Sequence, residues 1–174
     1  MEIFIIGLAV VALMVFVSTK IKKSAAAAYD SETVETEEFK LFKPEGFIYP
    51  LNDDSGLAFV ANSKDWGKNE ASKFRQARAA LRVISNSDFK IICENAKKSA
   101  GKIKSKNFVK DAPAGQKIFT LEGETLEDTV KILTFWKIVE SRRKIYELRA
   151  AVIENYAEDF ADKINEMTAS FTVK

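Results

Sequence analysis

Apolar and polar positions alternate with a changing period along this chain, and each change marks an element. Residues 3–17, "IFIIGLAVVALMVFV", are continuously apolar and uncharged. Ser18 and Thr19 extend the run to 17 residues, the lower limit for a membrane-spanning helix. Residues 39–51, "FKLFKPEGFIYPL", combine aromatic and β-branched positions with prolines and a glycine, and predict two short extended pieces about the "KPEG" turn. "NDDSG" reads as a loop, and "LAFVANS" as a strand with Leu57, Phe59 and Ala61 on one face. Residues 75–84, "RQARAALRVI", alternate with Ala77, Ala79, Leu81 and Val83 inward and Arg78 and Arg82 outward, which predicts a strand; their alanines keep a helix as the alternative.

The period then lengthens. Phe89, Ile92, Cys93 and Ala96 recur at helical spacing, with Ser87 as the expected N-cap, Asp88 in the first turn and Gly101 just past the end. "KIKSKNFVKDAPAGQ" is expected to be a lysine-rich loop. "KIFTLEGE", "TVKILTFWKIVE" and "KIYELRAAVIE" predict neighbouring strands, the last two joined by a turn at "SRR", because Val, Ile, Thr, Phe and Trp dominate them. "TLED" also fits a helix cap, so one long helix over residues 129–154 is the competing assignment. A strand over residues 129–139 would set Val130, Ile132 and Trp136 on one face and Leu133, Phe135 and Val139 on the other, with Lys137 reaching solvent at a sheet edge. Asn155, followed by Glu158, is the expected cap of a closing helix with Tyr156, Phe160, Ile164 and Met167 as its stripe; "ASFTVK" ends the chain as a strand or docking tail. The order of elements predicts an α+β domain, an antiparallel sheet with helices packed on it.

Charge adds orientation. The n-region before the apolar run is only "ME", whereas Lys20, Lys22 and Lys23 follow it. That asymmetry fits an uncleaved anchor better than a cleaved signal peptide, and it leaves the lysine flank and the following domain in the cytoplasm, with the periplasmic or extracellular side as the alternative. The expected organisation is an anchor over residues 1–23, an alanine-rich then acidic linker over residues 24–38 (Asp30, Glu32, Glu35, Glu37, Glu38), and a domain over residues 39–174.

Composition removes several chemistries. The chain has 174 residues and a net charge of +2, too little for a dedicated nucleic-acid binder. It has no histidine and a single cysteine, Cys93, so Ser–His and Cys–His pairs, a disulfide within the chain and a Cys-based zinc cage are all ruled out. No glycine motif for phosphate is present, Asp53 and Asp54 sit in a turn-like loop, and Cys93 reads as a core residue. No cofactor, metal or catalytic residue is expected. The one surface signal is Lys97, Lys98, Lys102, Lys104, Lys106 and Lys110 with Phe108 among them, a candidate contact for anionic lipid or a protein partner. Arg142, Arg143 and Lys144 form a smaller basic site at a hairpin tip.

The opening "FKLFKPEGF", the strands and middle helix after it, the hairpin at "ESRRKIYEL", the closing helix and the terminal "ASF" together resemble the PsbP-like family, which includes DcrB-like proteins. The resemblance spans roughly residues 39–173. It implies an α/β/α sandwich around an antiparallel sheet in a non-enzymatic accessory or binding protein, and it transfers no functional residue. It departs from the family in one respect: PsbP and DcrB work outside the cytoplasm, whereas the lysines after the apolar run argue for the inside. The functional expectation is a membrane-tethered, non-catalytic accessory protein whose partners are the lipid bilayer and another membrane protein. The alternative is a small-ligand carrier or enzyme with a pocket between sheet and helix.

Overall fold

The structure, a computed structural model, describes residues 11, 13–22 and 27–174. The expected membrane anchor falls largely outside them. Residues 13–22 are helical, and no helix among the described residues is long and apolar enough to cross a membrane.

Ten strands and two α-helices follow: β1 (Glu32–Glu35), β2 (Phe39–Lys43), β3 (Phe47–Ile48), β4 (Phe59–Ser63), β5 (Ala77–Ser85), α1 (Phe89–Ser99), β6 (Lys102–Ala112), β7 (Gln116–Glu127), β8 (Val130–Ser141), β9 (Lys144–Ile153), α2 (Ala157–Ser170) and β10 (Thr172–Val173). Seven strands form one sheet in the order β3-β4-β5-β9-β8-β7-β6, and β1-β2-β10 form a second. Every strand pair is antiparallel, so the fold is α+β.

Period-2 patterning decides which face each strand buries. On β8, Trp136 and Ile138 join Leu121 and Phe119 of β7 and Ile145 of β9 beneath α1, whose Phe89, Ile92, Cys93 and Ala96 close that layer. The opposite face carries Val139, Tyr146, Leu148, Ala150 and Val152 against Phe160, Ile164 and Met167 of α2, with Phe39 and Leu41 of the small sheet alongside. Residues 129–154 are therefore two central strands and the turns that bound them, with the faces divided as the alternation predicts. Strand β5 buries Ala77, Ala79 and Leu81 and leaves Arg78 and Arg82 on the other side.

Several local expectations are corrected. The acidic stretch read as a spacer supplies β1, whose Glu32 pairs with Lys43 and whose Glu35 pairs with Lys40. Residues 102–112, read as a loop, form the edge strand β6. Lysine and asparagine are weak strand formers, but β7 offers them a template. The cap of α1 is Asp88, not Ser87. The chain leaves β5 through Asn86 at φ 57°, so Asp88 is the last extended residue, and its carboxylate accepts from the Lys90 amide at 2.6 Å. Asn155 caps nothing, because a 3₁₀ turn over Glu154–Tyr156 precedes α2. Lys137 does not reach solvent at a sheet edge. It stands on central β8 and donates to the carbonyls of Thr168 (2.7 Å) and Phe171 (2.8 Å), which the end of α2 leaves without helical partners. Desolvation there holds its pKa below that of an ordinary lysine.

The buried polar residue with the largest consequence is Lys43, at 1% exposure. Its Nζ donates to the carbonyls of Asp30 (2.7 Å), Phe47 (2.9 Å) and Ala28 (3.5 Å). It also stands 3.6 Å from Glu32 and over the Tyr49 ring at 5.6 Å. The Gly46 amide donates to the Tyr29 carbonyl at 2.8 Å. The chain is thus docked on the domain from Ala28 onward, well before residue 39.

Candidate functional site

Helix α1 lies over β7 and β8 and stops short of the edge strand β6, leaving a groove of about 1040 Å³ between helix and edge. The helix is seated closely at its C-terminal end, where a Cβ on Gly123 of β7 would fall 2.5 Å from the Ala100 carbonyl oxygen. Its N-terminal half borders the opening. Phe89, Cys93 and Phe119 form the apolar floor. Phe108 of β6 forms the far wall; it is 52% exposed, with its ring centroid 6.2 Å from that of Phe89. Lys90, Lys97, Lys106, Lys110 and Lys117 stand around the groove with Asn86, Asp88, Glu94 and Glu140.

Two rim lysines are neutralised in place. Lys97 meets Glu94 at 2.7 Å, which lowers the Glu94 pKa, and Lys117 meets Glu140 at 2.6 Å, which raises the Lys117 pKa. Lys97 and Lys117 also lie over the Phe119 and Phe89 rings, at 5.5 and 5.9 Å. Lys90 and Lys106 have no ion-pair partner within 4.0 Å among the described residues.

Of the residues singled out by sequence, Lys97, Lys106, Phe108 and Lys110 come together around this groove, while Lys98, Lys102 and Lys104 do not line it. Lys104 is instead engaged by Glu124 at 3.2 Å. Sequence reading missed Asn86, Asp88, Phe89, Lys90, Lys117 and Glu140 as groove residues. Alternation of Lys106, Phe108 and Lys110 at period 2 was the available signal that residues 102–112 present one face. The lining residues from β7 and β8 carry no local signal, since only pairing brings Lys117 beside Glu140.

The floor thiol of Cys93 is buried, and that burial pushes its pKa from 9.0 up to about 11, so at neutral pH it is a protonated, inert group. No cluster of His, Cys, Asp and Glu suited to a metal ion occurs among the described residues. Alkylation of Cys93 with iodoacetamide at pH 8 is expected to be far slower in the folded chain than in denaturant. Because its folded pKa lies above its unfolded one, its contribution to stability holds below pH 9 and is lost as pH rises toward about 11. Equal alkylation rates in the two states would contradict the burial.

No family model and no curated protein matches the chain. Solved structures do. Cyanobacterial PsbP (CyanoP) from Synechocystis aligns with TM-score 0.54 at 11% identity, over 84% of this chain and 94% of that one. LpqN, involved in cell envelope biogenesis of Mycobacterium tuberculosis, aligns with TM-score 0.58 at 12% identity, over 83% and 91%. The chain has the PsbP-like fold. Within that PsbP-like architecture the groove lies between α1 and the edge strand β6. The Saccharomyces cerevisiae Ran-binding protein Mog1p is a more distant likeness, at TM-score 0.48 and 12% identity.

Proposed function

We propose that this chain is a membrane-tethered, non-catalytic accessory protein that holds a protein partner in the α1–β6 groove. Residues 1–23 serve as the anchor, and the domain lies on the cytoplasmic side. One observation carries the reading: an aromatic-floored, lysine-rimmed groove lies at the end of the sheet opposite the point where the N-terminal segment docks. Lys43 and Ala28 lie at the end marked by the pair Phe47 and Ser63, whereas the groove lies at the end marked by Lys117 and Glu140. From Leu133 to Glu140 along β8 these ends are about 23 Å apart at ~3.3 Å per residue. Lys23 is followed by only a few residues before the docked Ala28, so an anchored chain would hold the near end close to the bilayer and turn the groove away from it. That geometry favours a protein contact over a lipid contact for Lys106, Phe108 and Lys110. The likeness to PsbP, and to a protein of cell envelope biogenesis, is in keeping with an accessory role.

A small-ligand carrier is the competing reading, favoured by a groove volume at the upper end of ligand pockets and by its apolar floor. The two separate in one experiment. A photo-crosslinking amino acid at position 108, in the full chain in its own membranes, should yield a discrete adduct with a membrane protein identifiable by mass spectrometry. The same group at exposed Leu51 should yield none. Absence of any protein adduct at position 108, together with a small molecule retained by the purified chain, would overturn the accessory reading in favour of the carrier.

A further inference from the structure

We propose that the partner element is an extended, acidic polypeptide segment, which adds to the free edge of β6 as a further strand and lays its apolar side chains on the groove wall. This rests on the accessory-protein reading of the same groove and deepens it.

Three features converge on that occupant. First, β6 is the last strand of its sheet, pairs only with β7, and is exposed at every residue from 102 to 110, so its outer backbone groups are open to a partner. Strand addition satisfies such a row of donors and acceptors. Second, β6 carries Lys102, Lys104, Lys106 and Lys110, and no acidic residue lies between 102 and 110. Lysines on an edge ordinarily repel other strands. Here they exclude a second copy of the chain, because β6 laid against β6 would set lysine against lysine. A segment bearing glutamate or aspartate at those positions is attracted by the same charges. Third, the strand is not purely protective: Phe108 and Val109 are 52% and 41% exposed, and Phe108 leans toward Phe89 across the groove. Because Lys106, Phe108 and Lys110 share one face of β6, a strand with acidic, apolar and acidic side chains at positions i, i+2 and i+4 of its groove face matches both the lysines and this apolar wall.

The test uses the full chain in detergent micelles and a fluorescent decapeptide with glutamate and valine taking turns at every odd position and threonine at every even one, read by anisotropy, so that glutamate and valine share one face of the strand. The peptide is expected to bind, to weaken as salt rises, and to lose about tenfold or more in affinity to the double variant Lys106→Glu, Lys110→Glu. Phe108→Ala should also weaken it, whereas Lys98→Glu, off the groove, should leave it unchanged. Backbone geometry supplies the sharper readout. Methylating the amides of all the threonines blocks one edge of the peptide strand, and methylating those of the glutamates and valines blocks the other. Strand addition requires one methylated peptide to bind and the other to fail. Equal binding by both, or equally tight binding of the peptide with lysine in place of every glutamate, would overturn the proposal. Failure of every peptide while position 108 still crosslinks to a membrane protein would overturn the acidic strand alone. Peptide binding with no crosslinked partner would instead overturn the accessory role.

Discussion

Trp136→Ala is expected to cost about 3–5 kcal/mol of unfolding free energy, a large part of what a domain of this size possesses. Trp136 is 3% exposed, on the central strand β8, between Leu121 of β7 and Arg149 of β9 in the register. The Arg149 guanidinium lies 5.4 Å from its ring centroid, partly shielded from water, and burial lowers that arginine's pKa. Truncation would remove the largest side chain under α1, leave a cavity that the stiff sheet cannot collapse, and uncover the guanidinium's apolar face. Urea denaturation of the full chain in detergent measures the loss. Leu126→Ala, at 67% exposure, serves as the comparison and should shift stability by less than about 0.5 kcal/mol. A Trp136→Ala cost as small as that of Leu126→Ala would contradict the placement of β8 at the centre of the sheet.

Lys43→Met should be nearly as damaging, by about 2–4 kcal/mol, although it replaces a buried charge with an apolar side chain of similar length. Swapping both members of a buried polar pair for apolar groups is often harmless. Here, however, the partners are main-chain carbonyls, which no substitution removes. The carbonyls of Asp30 and Phe47 would each lose a charged donor at 2.7 and 2.9 Å, and Glu32 would lose its nearby cation. The damage should be local first: β1 is short and exposed, held by β2 and by this lysine. Limited proteolysis should therefore cut the variant between residues 28 and 38 well before the rest of the domain, while the parent resists there. If Lys43→Met leaves that segment as protected as in the parent, the latch at Lys43 is not what docks it.

Which of these consequences were visible in the amino-acid order depends on whether the deciding force is local. Phe89, Ile92, Cys93 and Ala96 announce a helix by spacing alone, and the β5, β8 and β9 strands announce themselves by alternation or by dense β-branched residues. All of these segments bury a periodic face, which leaves its period in the sequence. Strand β6 is exposed at every residue from 102 to 110. Its lysines carry no apolar period strong enough to name it, and its identity as a strand comes from hydrogen bonds to β7. The same holds for Glu32–Glu35, acidic and exposed, which becomes β1 because β2 pairs with it and Lys43 collects the carbonyls beside it.

The candidate site divides along the same line. From the order of residues alone came the α+β class, the PsbP-like resemblance, the lack of histidine chemistry, and the whole run of Lys97, Lys98, Lys102, Lys104, Lys106, Phe108 and Lys110 as the surface of interest, because composition, period and local charge are properties of neighbours in the chain. Tertiary structure alone decided that Lys98, Lys102 and Lys104 stand apart from the groove, that Lys117 and Glu140 join it, and that Lys43 and Lys137 are buried donors instead of solvated charges. Each of those outcomes depends on which carbonyl, ring or carboxylate a folded neighbour presents, and a lysine's four-carbon stem reaches whichever partner the sheet register happens to place beside it.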